Sequence, residues 1–169
     1  MHVKDKVCVV TGGASGIGEA VARAYAEAGA RGVVVADLKT SRDRLASVAG
    51  DIDGLAVTAD VGLEEDIKAL IAAAEDKYGP VDVFFSNAGL SRKGQETASD
   101  ADWDVSWRVH VMSHVFAARA GARHAGTRFR LSAQHRIRRG APGVAELDAL
   151  RRDQECRGRA RRASGDPVW

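Results

Sequence analysis

The sequence predicts an α/β fold of three layers: a doubly wound parallel sheet with helices on both faces. Short apolar runs alternate with helix-length amphipathic segments through the first 120 or so residues. A glycine-rich turn joins the first of those runs to the first helix. The alternation then stops near Gly121, where the composition changes in kind. The ordered domain is therefore expected to span 1–122, with its sheet truncated after about four strands. Residues 123–169 are expected to be a disordered, arginine-rich tail.

Lys6–Val10 (KVCVV) is apolar throughout, as a strand buried on both faces should be. Gly16–Ala28 is alanine-rich with helical spacing of its apolar residues. Val33–Ala36 reads as a second strand, Ser41–Ala49 as a short helix and Leu55–Ala59 as a third strand. Leu63–Tyr78 is an amphipathic helix stopped by Gly79-Pro80, a pair that ends helices. Val81–Phe85 is the fourth strand, and Ser99 to about Ala122 reads as one long helix. Strands joined by helices of this length imply right-handed crossovers and parallel pairing. With nothing expected beside it, the fourth strand would be an open edge prone to association.

A chain of 169 residues suffices for one domain with a core. No stretch is apolar for long enough to span a bilayer. Met1–Asp5 has no apolar run behind a basic cap, so no signal peptide is expected there. Cys8 and Cys156 give neither a disulfide framework nor a metal spacing, and Cys8 reads as a buried strand thiol. A cytoplasmic protein is the expectation. The net charge of +2 conceals an asymmetry. Arg119–Trp169 holds 13 arginines and no lysine against 5 acidic residues, while the remainder has 12 basic and 18 acidic residues. RFRLSAQHRIRRGAPG has neither period, and the segment after it has almost no apolar face to offset the entropy of ordering.

The strongest motif is Thr11-Gly12-Gly13-Ala14-Ser15-Gly16-Ile17-Gly18, which follows a strand and opens a helix. Gly12 permits a tight turn, Gly16 lets backbone approach a pyrophosphate, and Gly18 lets the helix sit close to the sheet. Phosphates there would meet the free N–H groups and positive dipole end of the helix. This is the context of a Rossmann-type dinucleotide site. Asp37 ends the second strand, 19 residues after Gly18. A carboxylate there can accept both ribose hydroxyls and repels a 2′-phosphate, which favours NAD over NADP. The competing reading of Asp37 is a cap for the next helix. Arg42 and Arg44 nearby keep NADP open.

With these motifs in order, the chain resembles the classical short-chain dehydrogenases/reductases over residues 1 to about 120. TGGASGIG resembles that family's TGxxxGxG loop. Asp60-Val61 resembles its adenine-contacting pair, and Asn87-Ala88-Gly89 its NAG motif beside the nicotinamide. The cofactor contacts so expected are Gly12, Ser15, Gly16, Ile17, Gly18, Asp37, Leu38, Asp60, Val61, Asn87, Ala88 and Gly89. The resemblance implies an NAD(P)-dependent oxidoreductase moving hydride between nicotinamide and an alcohol or carbonyl.

What the resemblance also implies is a Tyr-x-x-x-Lys pair, a preceding Ser and an Asn on the helix after NAG. The Tyr exchanges a proton with substrate, and the Lys lowers its pKa. Here Tyr25 is followed four residues on by Gly29 and Tyr78 by Asp82, and no lysine follows Lys93. The Asn position holds His110. No catalytic residue is therefore assigned, and this chain is expected to be catalytically disabled. The tail has an out-of-frame explanation. Synonymous codons for Asp148–Arg162, read one base later, give MPYAVTKNAAVALA, with Tyr at the Leu150 position and Lys at Gln154. Gln134–Gly140 read the same way gives NTASAA, with Ser at the Ile137 position. The separations, 13 and 4 residues, are those the family uses. An extra base near codons 119 to 122 is the expectation.

His110 and His114 are i, i+4, a spacing that suits zinc, but no acidic or cysteine partner accompanies them and no metal is expected. Trp103 and Trp107 share that spacing and read as core or interface anchors. The alternative function is a non-catalytic nucleotide- or nucleic-acid-binding protein using the arginine tail. The tail has no aromatic residue placed for stacking and no recognisable module, so a nucleic acid partner is not expected. Nor is a membrane. The family's usual homo-oligomer interface would be incomplete. An alcohol or carbonyl substrate is expected only at full length, and its identity stays open.

Overall fold

The computed structural model describes residues 3–91, 97–121 and 130–133. Five strands form one parallel sheet: β1 Val7–Thr11, β2 Gly32–Asp37, β3 Leu55–Thr58, β4 Val83–Ser86 and β5 Arg130–Ala133. Their spatial order is β3-β2-β1-β4-β5. The chain winds outward from β1 in one direction, then returns and winds outward in the other. The winding reverses between β1 and β4, and open α/β sheets bind ligands beyond the C-terminal strand ends at such a reversal.

The period-2 geometry of the strands sorts their side chains between two cores. Val9, Val34 and Phe84 face one side, where Ile67, Leu70, Ile71 and Ala74 of α3 (Glu64–Tyr78) meet them. Phe116, Ala117 and Ala120 of α5 (Ser113–Gly121) complete that layer. Val10, Val35 and Phe85 face the other side, against Ala22 of α1 (Gly16–Glu27) and Leu45, Val48 and Ala49 of α2 (Arg42–Asp51). Both faces are covered, which is why β1, β2 and β4 are apolar without alternation. Cys8 is buried, and that burial, with the Asp82 charge adding to it, pushes its thiol up to about 12.

Element positions match the sequence expectation to within one or two residues, the ordinary scatter of element ends. The long helix is interrupted. After α4 (Asp100–Trp107) one π-helical turn, Arg108–Met112, precedes α5. Ser99 starts it as expected, its Oγ accepting from the Asp102 amide at 3.2 Å. Trp103 and Trp107 are each 60% exposed, which excludes the core reading.

The sheet does not stop at four strands. β5 pairs with β4 in the register Val83↔Arg130, Phe84↔Leu131, Phe85↔Ser132 and Ser86↔Ala133, so the fourth strand is not an open edge. The Arg130 amide also donates to the Asp82 carbonyl at 2.9 Å. Ladder bonding uses backbone groups, so RLSA takes a strand position without the hydrophobic pattern that marks the other strands. The rest of the expected tail lies outside the described residues. Among those described, no helix is long and apolar enough to cross a membrane.

Candidate functional site

Every cofactor contact expected from the sequence falls at the C-terminal ends of β1, β2, β3 and β4: Asp37 as the last residue of β2, Gly16, Ile17 and Gly18 in the first turn of α1, and the others on the connecting loops. Thr11 ties two of these loops together. Its fully buried Oγ donates to the Phe85 carbonyl at 3.4 Å and accepts from the Asn87 and Ala88 amides at 3.0 and 3.1 Å. The Asn87 side-chain amide returns a bond to the Thr11 carbonyl at 3.0 Å. The Asn-Ala-Gly turn is thus locked to the start of the glycine loop. Thr11 belongs to the glycine-rich motif, whose spacing does not by itself mark this role. A hydroxyl among four apolar strand residues was the available signal.

The three glycines separate by task. Gly12 has φ +69°, and a Cβ there would stand 2.9 Å from Asn87 Nδ2. A Cβ on Gly18 would collide with the Gly12 carbonyl, so the first turn of α1 lies directly on the loop. Gly16 has φ +58°, yet a Cβ there would meet nothing within 4 Å. The space over Gly16 is open, as a site for phosphate oxygens requires. Ser15 and Ile17 flank it and are exposed, and Ser15 makes no side-chain cap bond to the helix. The first N–H groups of an α-helix have no intrahelical acceptor. Gly16 is the first residue of α1, so the opening lies at the positive end of the dipole of a 12-residue helix.

Asp37 does not cap a helix. Its Oδ2 accepts from the Ala14 amide of the glycine loop at 3.1 Å, and its Oδ1 from the Leu38 amide at 2.8 Å. Ser41 holds the N-cap position of α2 instead. Leu38 beside it is exposed. Arg44 leans on Glu19 at 3.4 Å, a carboxylate that Arg23 also holds. Asp60 follows β3, its Oδ1 accepting from the Gly62 amide at 2.8 Å. Val61 is only 7% exposed, with its side chain in the core beneath.

His110 sits in the π-helical turn with Nε2 2.9 Å from the Leu90 carbonyl. A Cβ on Gly89 would stand 3.0 Å from His110 Cε1, so Gly89 is what allows the ring to lie against that turn. Neither tyrosine reaches this edge. Tyr78 packs over Gly32 at the start of β2, and Tyr25 packs beside Val3, Cys8 and Val83. Burial raises the Tyr25 phenol, away from what a general base needs.

The family model for short chain dehydrogenases matches residues 6–129. The chain belongs to the short-chain dehydrogenase family. It is 39% identical to a (+)-cis,cis-nepetalactol synthase of Nepeta racemosa, over 72% of this chain and 46% of that protein. A short chain dehydrogenase from Burkholderia cenocepacia, solved in complex with NADP, superposes with a TM-score of 0.72 at 28% identity, covering 79% of this chain and 56% of that one. A 3-ketoacyl-(acyl-carrier-protein) reductase from Brucella melitensis, complexed with NADH, gives 0.67 at 33% identity, over 72% and 51%. The chain spans about half the length of the curated relatives it matches.

Proposed function

We propose that this chain binds a nicotinamide adenine dinucleotide along the C-terminal edge of its sheet, NAD in preference to NADP, and does not by itself complete a hydride transfer. The observation that carries this reading is the open space over Gly16, at the N-terminus of α1, beside the Asp37 carboxylate. A pyrophosphate would be held over Gly16 by the first amides of α1. Asp37 spends one lone pair of each oxygen on a backbone amide and keeps acceptor capacity for ribose hydroxyls. The same charge repels a 2′-phosphate. Asp60 and the Val61 backbone would hold the adenine end, and Asn87, Ala88 and Gly89 the nicotinamide end. The bound nicotinamide would supply the hydride chemistry acting on an alcohol or carbonyl. The proton-transferring pair is what the 169 residues lack: they contain no Tyr-x-x-x-Lys.

The arginine-rich tail fits out-of-frame translation from an extra base near codons 119 to 122. The nucleotide sequence across codons 115 to 160 tests this. A second frame carrying Ser, Tyr and Lys at the Ile137, Leu150 and Gln154 positions supports it, and a second frame without them removes it. Cofactor binding is tested by titrating the chain with NADH and NADPH and following nicotinamide fluorescence. NADH should bind at least about tenfold more tightly, because a like charge faces the 2′-phosphate. Binding of neither dinucleotide sinks the reading, and turnover of a secondary alcohol with NAD sinks its second half.

A further inference from the structure

The turn after β3 is held by two carboxylates in series, and only one of them belongs to the family motif. The β3 ladder ends at Thr58, and the Ala59 amide still reaches the Asp37 carbonyl at 2.9 Å. The next amide, that of Asp60, has left the sheet, and a backbone donor away from water needs a partner. Asp66 supplies it, its Oδ2 standing 2.8 Å away. Asp60 Oδ1 then accepts from Gly62 at 2.8 Å, and the Asp60 carbonyl accepts from the Leu63 amide at 3.0 Å. Gly62 is boxed in behind: a Cβ there would stand 3.1 Å from Asp60 Oδ1 and 3.6 Å from Arg108 Cβ.

Asp66 is not simply one more acid in the first turn of a helix. That turn also contains Glu64 and Glu65, and both of these pair outward with Lys68, at 3.5 and 2.7 Å. Glu64 also meets Arg119 at 3.4 Å. Asp66 is half-buried and turns back to the strand end instead. The geometry points to Asp66 as a positioning residue: through the Asp60 amide it sets the turn that presents Asp60 to the adenine end of the dinucleotide. This rests on the function proposed above. Asp66 makes no contact with the cofactor in this scheme. It acts through Asp60.

The test uses the full 169-residue chain, with D66A and D66N, and ADP-ribose as the probe in a calorimetric titration. ADP-ribose carries the adenine end without the nicotinamide. Asp66→Ala should weaken it about tenfold, the effect of losing one charge-assisted hydrogen bond that orders the site. Asp66→Asn keeps an acceptor oxygen and should stay within about threefold of the unsubstituted chain. Amide exchange at Asp60 and Gly62 should speed up in D66A and not in D66N, while the Gly12 amide is unchanged. A role confined to the stability of α3 would lower the melting temperature of D66A and leave its ADP-ribose affinity untouched. That result overturns the proposal, as does a loss in D66N equal to that in D66A. If the unsubstituted chain binds no ADP-ribose, the function reading fails and this inference falls with it. Normal binding with an indifferent Asp66 overturns this inference alone.

Discussion

At the N-terminal edge of the sheet Lys6 Nζ meets Asp82 Oδ1 at 2.8 Å, and Asp82 Oδ2 takes the Val7 amide at 3.0 Å. Tyr78 lies over Gly32 at the same edge, so close that any side chain on Gly32 would meet the ring. At the C-terminal edge Asp37, Asp60 and Asp66 are turned to backbone amides, those of Ala14, Leu38, Gly62 and Asp60. One edge is closed by a cation and an aromatic ring. The other spends its carboxylates on holding loops in place and leaves the first turn of α1 uncovered at Ser15, Gly16 and Ile17. Parallel strands put every helix N-terminus at the same edge, so the difference follows from topology. The edge that collects amide donors is the one able to hold an anion, and its side chains serve to keep those donors still.

Two glycine substitutions at the open edge should break the comparison most sharply. Gly18→Val drives a branched side chain into the Gly12 carbonyl and Asn87. It should cost about 3 kcal/mol or more, the range of severe overpacking, and abolish cooperative thermal unfolding. Gly16→Ala meets no neighbour and carries only the strain of a left-handed backbone at φ +58°. It should cost about 1 kcal/mol in denaturant unfolding while weakening NADH more than tenfold, because its methyl group occupies the phosphate space. A Gly16→Ala chain that binds NADH normally would mean that the opening over Gly16 is not the phosphate site.

Those glycines were legible because the motif carries its own geometry: a turn, an approach and a close packing, each needing no Cβ. The strands β1 to β4 were legible for a similar reason, since burial on both faces leaves an unbroken apolar run such as VCVV or VVVA. β5 was not legible. RLSA offers no period, and its strand state comes from backbone bonds to β4 that no side-chain pattern announces. The π-helical turn was hidden too, because one extra residue in a helix shifts the apolar face without erasing it. Asp37 reads as a ligand residue or a helix cap, and its bonds go to the adjacent Leu38 amide and to Ala14, which lies in another loop. Long-range bonds of that kind depend on how strands stack, which is information a local spacing does not contain. Asp66 illustrates the same limit, since three acids in one helix turn look alike until the fold chooses one.

Thr11→Val tests the lock between the two loops of the open edge. The replacement keeps the shape of the side chain and removes the oxygen that serves Phe85, Asn87 and Ala88. Two amides then lose their acceptor in a partly buried setting, at a cost of about 2 kcal/mol. Urea unfolding should show that loss, and NADH affinity should fall because the Asn87 turn loosens. A Thr11→Val chain as stable as the parent would show that water or a relaxed loop replaces the hydroxyl.

The smallest effect belongs to the closed edge. Burial pushes the Asp82 carboxyl up, but the bonds from Lys6 and the Val7 amide and the charges of Lys6 and Arg31 outweigh it, leaving it below its ordinary 3.8. A carboxyl lowered in the folded state adds stability that is present above 3.8 and is lost as the pH falls through its folded value. Asp82 is partly solvated, and screening reduces the contribution to about 1 kcal/mol. Asp82→Asn keeps an acceptor for Val7 and removes only the charge. Its deficit in urea unfolding should therefore be present at pH 7 and vanish in acid, while NADH affinity stays within about twofold, since the two edges lie at opposite ends of the strands and share no partners. A deficit that persists unchanged in strong acid would mean that the Asp82 charge contributes nothing and that shape alone closes this edge. A large loss of NADH binding would mean that the two edges are not independent, and the division of labour between them would have to be given up.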